Sequence, residues 1–148
     1  MKYNKHLKLL KNLPSLLNNF YRKNSKLSLK INNKSKNKKI YDPVTNLDKA
    51  FEKFIRNIII QKFSEDAILG EEFLEKYSES DYRWFIDPID GTRAFMVGAP
   101  TWSNLIGLTY KNQSVLGLAN FPALNKFYIN DQKKTYLVNN KKTILKTS

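Results

Sequence analysis

From Gly91 onward the chain alternates short apolar runs with turn chemistry, and this pattern limits the possible folds more than any other feature. The runs "TWSNLIGLTY", "SVLGLANF", "NKFYIND" and "KTYLVNN" are separated by "KNQ", "PALN", "DQK" and "NNK". Turn residues at hairpin spacing predict an antiparallel meander. The first part of the chain has a helical period instead. Leu7, Leu10, Leu13, Leu17 and Phe20-Tyr21 predict an amphipathic helix over residues 5–22, with Pro14 either kinking it or starting a second helix at Ser15. In "DKAFEKFIRNIIIQKF", Phe51, Phe54, Ile55, Ile58 and Ile59 share one face, and Thr45 or Asp48 can cap the start. Between the helices, residues 24–39 read as a short strand (Leu27, Leu29, Ile31) leading into a mobile basic loop. "DAILGEEF" reads as a short buried strand ending in an acidic pair. "YRWFI" reads as a second strand, stopped by Pro88, with Trp84 and Phe85 in the core. Helices followed by mostly antiparallel strands give an α+β layered fold, and 148 residues suffice for one domain with a real core.

Composition removes several function classes. There is no cysteine, which excludes disulfides and thiolate zinc sites and fits a reducing, cytoplasmic compartment. The single histidine, His6, lies in a Lys-rich segment, which argues against His-based catalysis. No apolar run reaches the roughly 20 residues of a membrane span, and lysines interrupt the N-terminal leucines too often for a signal peptide. The net charge of +13 comes almost entirely from lysine, with arginine only at positions 22, 56, 83 and 93. Abundant Lys, Asn and Ile are the bias of an A/T-rich genome, and nucleic-acid recognition favours more arginine, so no nucleic-acid partner is expected. A positive field still attracts a small anionic substrate.

The acidic residues sit at element ends. Asp48 opens the long helix, Glu71-Glu72 follow "AILG", Asp87 ends "RWFI", and Asp90 lies in the turn behind it. If the two strands are neighbours, Glu71 and Asp87 emerge at the same sheet edge. Each carboxylate alone reads more simply as a solvated loop residue or a cap. Together, "DPIDGT" after one apolar strand and "GEE" after another outweigh that reading. Clustered carboxylates repel unless a cation neutralises them, and Mg²⁺ needs only a few oxygen ligands because it keeps several waters. Pro88 fixes the backbone between the aspartates, and the Ile89 carbonyl can then turn inward as a further oxygen ligand. A short helix starting at Thr92 would leave the Gly91 and Thr92 amides facing an anion. Metal ligands beside phosphate-binding amides are what metal-assisted phosphate ester hydrolysis requires. Arg93 reads as solvated, within reach of a substrate.

"DPIDGT", with "GEE" and "DPVTNLD" upstream, resembles the inositol monophosphatase-like, Mg²⁺-dependent phosphatases, in that family's order, over roughly residues 42–148. The resemblance implies the first half of an α/β/α/β/α sugar-phosphatase fold and a small phosphorylated substrate. It implies Glu71, Asp87, Asp90 and the Ile89 carbonyl as metal ligands. Glu71 also positions the attacking water. Thr92 orients that water with its hydroxyl near Glu71, Gly91 and Thr92 hold the phosphate, and Asp48 is an outer-metal aspartate. Glu72 matches the second glutamate of the motif. "DGTRAF", the "P-x-W" block and the "VLG…P" hairpin look most like the histidinol-phosphate phosphatases, implying histidine biosynthesis, with inositol-1-phosphate or a related substrate as the alternative.

The chain departs from the family pattern in one respect. Family members are longer, and their second half carries a "W-D-x-A-A" motif whose aspartate completes the metal site. Trp84 and Trp102 are followed by Phe85 and Ser103 and do not form it. "TYLVNNKKTILKTS" resembles the end of the family's first domain. Residues 1–148 therefore read as an N-terminal metal- and phosphate-binding domain without the family's C-terminal domain. Two further expectations follow. The chain either works as a homodimer or with a complementing C-terminal half, or it is a catalytically deficient remnant with an exposed apolar face.

Overall fold

The structure is a computed structural model and describes residues 3–26, 28–37, 43–139 and 141–145. Helix α1 (Asn4–Asn24) is followed by strands β1 (Ile31–Asn33) and β2 (Pro43–Thr45), helix α2 (Asn46–Lys62), strands β3 (Ala67–Gly70) and β4 (Tyr82–Asp90), and the one-turn helix α3 (Thr92–Met96). Strands β5 (Ser103–Tyr110), β6 (Gln113–Phe121), β7 (Lys126–Asn130), β8 (Thr135–Val138) and β9 (Lys142–Leu145) complete the chain. Strands β3 to β9 form one seven-stranded sheet in sequence order. Its β3–β4 pair is parallel and the other pairs are antiparallel. The expected α+β class and meander are what the structure has.

Both helices pack on one face of the sheet. Leu10, Leu13 and Leu17 of α1 and Phe51, Ile55 and Ile59 of α2 are fully buried. They share a core with Trp84 and Ile86 of β4, Ile106 and Leu108 of β5, and Leu116 and Leu118 of β6. The period of 2 along each strand sends the intervening residues to the opposite face. Phe85, Gly107 and Gly117 align there in register. Phe85 is accordingly 38% exposed instead of buried in the core.

Several local expectations change. Helix α1 runs unbroken through Pro14. The missing N–H removes one hydrogen bond, to the Leu10 carbonyl, but the buried leucines on either side hold the helix against the sheet. Strand β4 does not stop at Pro88. It continues to Asp90 because its pairing with β5 is irregular between Asp87 and Asp90, where a residue without an N–H costs no ladder bond. β2, which pairs antiparallel with β1, and β9 were not anticipated. Of the expected strand over Leu27, Leu29 and Ile31, Leu27 lies outside the described residues. His6 is buried, stacked at 4.1 Å on Phe63 and 4.3 Å on Tyr82. Its Nε2 lies 3.1 Å from Asp66 Oδ2, which also accepts from Trp84 Nε1 at 2.9 Å. This histidine fastens α1 to the sheet far from the acidic cluster.

The two-faced sheet yields a prediction. Ile55→Ala, under the helices, should cost about 2–5 kcal/mol, whereas Phe85→Ala, on the open face, should cost under about 1 kcal/mol. Chemical denaturation of the two variants checks this, and equal losses would contradict the assigned sidedness.

Candidate active site

The site forms where the parallel pair ends. Gly70 of β3 lies opposite Ile86 of β4, so the next residues, Glu71 just past β3 and Asp87 still within β4, stand side by side where the parallel pairing ends. Asp87 lies close enough to Glu71 for the two carboxyls to affect each other's ionisation. Its carboxyl is pushed up from 3.8 to about 7, first by burial, then by the charge and hydrogen bond of Glu71, then by the charge of Asp90. Asp87 Oδ1 is buried and meets no hydrogen-bond partner among the described residues. Asp90 is exposed, and one of its oxygens accepts from Ser103 Oγ at 3.2 Å.

The other side of Glu71 meets a lysine. Lys34, in the loop after β1, places Nζ 2.7 Å from Glu71 Oε1 and 2.5 Å from Glu72 Oε1. The two carboxylates raise the lysine's pKa above its ordinary value, against the opposing effect of its burial. Among the described residues no three His, Asp or Glu side chains converge to hold a metal by themselves. Lys34 is one of the groups that engage Glu71. An orphaned buried oxygen, a proton held at near-neutral pH and an all-oxygen donor set nevertheless fit a hard divalent cation, which accepts main-chain carbonyls and waters as its remaining ligands.

The "DGT" turn, between β4 and α3, is held from α2. Gly91 has φ 85°, a left-handed conformation that side chains rarely adopt, and it starts α3 at Thr92. Thr92 Oγ1 lies 3.2 Å from Asp48 Oδ1 and 3.1 Å from the Ile89 carbonyl. The hydroxyl is therefore tied to Asp48 and not to Glu71. Asp48 itself is 1% exposed, and its Oδ2 accepts from Thr45 N at 2.8 Å and from Thr45 Oγ1, closing a capping box at the start of α2. Both of its oxygens accept hydrogen bonds from protein. It holds Thr92. Ile89 is buried, and its carbonyl keeps one lone pair beyond the Thr92 contact.

Two sets of side chains escaped the sequence reading. A buried amide chain runs from α1 to the turn. Asn120 Nδ2 donates to Asn18 Oδ1 at 3.0 Å and to Asn104 Oδ1 at 2.9 Å, and Asn104 Nδ2 donates to the Pro88 carbonyl at 2.7 Å. With the Pro88 carbonyl fixed on that side, the irregular segment between the two aspartates has a defined orientation. The second set, Glu52 and Arg56, grips the backbone after β3. Asparagines inside apolar strands, and a Glu four residues before an Arg on a helix, were the available signals.

The family model described as Inositol monophosphatase family matches residues 15–148. The chain belongs to the inositol monophosphatase family. It is 46% identical over 86 residues to a histidinol-phosphatase of Chlorobaculum parvum, covering 58% of this chain and 33% of that protein. It is 36% identical over 87 residues to a fructose-1,6-bisphosphatase/inositol-1-monophosphatase of Aquifex aeolicus, covering 59% of this chain and 33% of that protein. The chain thus matches about a third of the length of these curated relatives. Its fold is shared with an IMPase/NADP phosphatase complexed with Mg²⁺ and phosphate, at TM-score 0.81 and 18% identity, over 94% of this chain and 53% of that one.

The Asp87 shift predicts a pH effect in the absence of divalent cations. A carboxyl whose folded pKa is raised contributes stability below its unfolded value of 3.8 and loses it as pH climbs through about 7. The metal-free melting temperature should therefore fall between pH 5 and pH 8 in the wild type, and less steeply in Asp87→Asn. Calorimetric scans that stay parallel for the two proteins would contradict the assignment.

Proposed function

We propose that the chain carries the metal- and phosphate-binding half of a Mg²⁺-dependent phosphoric monoester hydrolase, with histidinol phosphate as substrate and histidinol as product. The observation that supports this reading is that the parallel β3–β4 pair carries Glu71 and Asp87 to the same sheet end, with Ile89 and Asp90 following in β4 just before the Gly91–Thr92 turn. The choice of substrate rests on the likeness after "DGT" and on the Chlorobaculum relative. Inositol 1-phosphate is the alternative, supported by the Aquifex relative.

In this reading Glu71, Asp87, Asp90 and the Ile89 carbonyl would hold Mg²⁺. Bound there, the ion supplies Lewis acidity to the phosphate and makes a neighbouring water a better nucleophile at neutral pH. The residues then divide the remaining work. The Gly91 and Thr92 amides face the phosphate oxygens. Thr92 Oγ1 accepts a proton from the attacking water while passing its own to Asp48, 3.2 Å away and already in place to receive it. Glu71 fixes the water from the opposite side. With a cation held by Glu71, Lys34 would keep Glu72 as its partner.

A second reading has its own support. The sheet face opposite the helices carries an apolar groove of about 720 Å³, lined by Leu69, Phe85, Leu105, Tyr128 and the two glycines, Gly107 and Gly117. Such a face suits a covering partner. On this reading the chain acts with a complementing C-terminal half or as a homodimer, and is deficient by itself.

Phosphate release from histidinol phosphate and from inositol 1-phosphate, with and without Mg²⁺, tests the first reading. Mg²⁺-dependent turnover should fall by about 100-fold in Thr92→Ala and disappear in Asp90→Asn. If the chain is silent alone and becomes active only with a family C-terminal half supplied separately, the second reading stands. Turnover indifferent to Mg²⁺ and to both substitutions would refute the assigned site.

A further inference from the structure

Glu52 is a fully buried carboxylate on α2 with no part in the chemistry described so far. Its Oε2 accepts from the Glu72 amide at 2.6 Å, and its Oε1 accepts from the Phe73 amide at 3.3 Å and from Arg56 Nε at 2.7 Å. Arg56, one turn further along the helix, donates through Nη2 to the Phe73 carbonyl at 3.2 Å and lies 5.9 Å over the Phe73 ring. The pair therefore binds two amides and a carbonyl of the segment that follows β3. The fit leaves no space for a side chain between helix and strand, since a Cβ at Gly70 would stand 2.0 Å from Glu52 Oε1.

A buried charge with three hydrogen bonds is stable only while all its partners remain. That condition makes the contact a rigid link instead of an interchangeable packing contact. The segment it fixes contains Glu71. Asp48, one turn before Glu52 on the same helix, fixes Thr92. Both halves of the candidate site are therefore positioned from consecutive turns of α2.

We infer that Glu52, with Arg56, is a positioning residue that sets Glu71 against Asp87 for divalent-cation binding. The inference rests on the proposed metal site. Its mechanical part, that Glu52 orders the Glu71–Phe73 backbone, is independent of any ion. Residues that orient metal ligands without touching the metal typically contribute 10- to 100-fold in affinity.

The test uses the 148-residue chain in the forms wild type, Glu52→Gln, Glu52→Asp and Asp87→Asn. Glu52→Gln keeps shape but sets an amide group against backbone donors or Arg56. Glu52→Asp keeps the charge but is too short to reach the Glu72 amide, and it remains informative if the glutamine variant fails to fold. Two quantities are measured. Amide hydrogen exchange at Glu72 and Phe73, without metal, should speed up at least about 10-fold in the Glu52 variants, with β4 and β5 still protected. Mg²⁺ affinity by calorimetry should weaken by about 10-fold or more in the same variants and vanish in Asp87→Asn. Wild-type exchange and affinity in folded Glu52 variants would overturn the inference. Faster exchange in those variants, together with Mg²⁺ uptake that is nil in the wild type or unchanged in Asp87→Asn, would support the backbone link and refute the metal site.

Discussion

The parallel pairing of β3 with β4 is the constraint on which the candidate site depends. Every other strand pair in the main sheet is antiparallel, and an antiparallel pair would send Glu71 and Asp87 to opposite ends. Parallel strands bring two carboxylates to one edge, where burial and mutual repulsion raise the Asp87 pKa and one of its oxygens meets no partner among the described residues. This local disadvantage is the physical argument for a cation. The surrounding structure holds the carboxylates together instead of letting them separate.

Helix α2 provides much of that restraint. Its apolar face, Phe51, Ile55 and Ile59, anchors it on the sheet. Its polar residues Asp48, Glu52 and Arg56 reach out to the two segments that carry the site. The amide chain through Asn18, Asn120 and Asn104 adds a third attachment, to the Pro88 carbonyl. Buried polar networks of this kind specify one geometry because each unsatisfied member is costly. On the opposite face of the sheet, the glycines and half-exposed Phe85 leave an open apolar groove.

The parts of this arrangement that the sequence revealed are those encoded locally. Helical and strand periods lie within a few residues, so α2, β3 and the meander were recognisable. "GEE" and "DPIDGT" each contain their own ligands and turn. Partnerships across the chain were not recognisable. That Thr92 pairs with Asp48, 44 positions away, depends on where α2 meets β4. That Pro88 lies inside a strand depends on an irregular register with β5. Glu52 looked like an ordinary polar residue on an amphipathic helix, because nothing near it in sequence shows that the backbone after Gly70 packs against it.

The central claim is that Glu71, Asp87, Ile89 and Asp90 form a single cation site. Titrating the ¹⁵N-labelled chain with Mn²⁺ tests it most directly, because the paramagnetic ion broadens amide resonances according to distance. The account predicts that resonances of Glu71, Asp87, Asp90, Gly91 and Thr92 disappear first, and that Mg²⁺ restores them. Broadening centred on other exposed carboxylates, such as Glu79 and Asp81, with the Asp87–Thr92 segment unaffected, would contradict it.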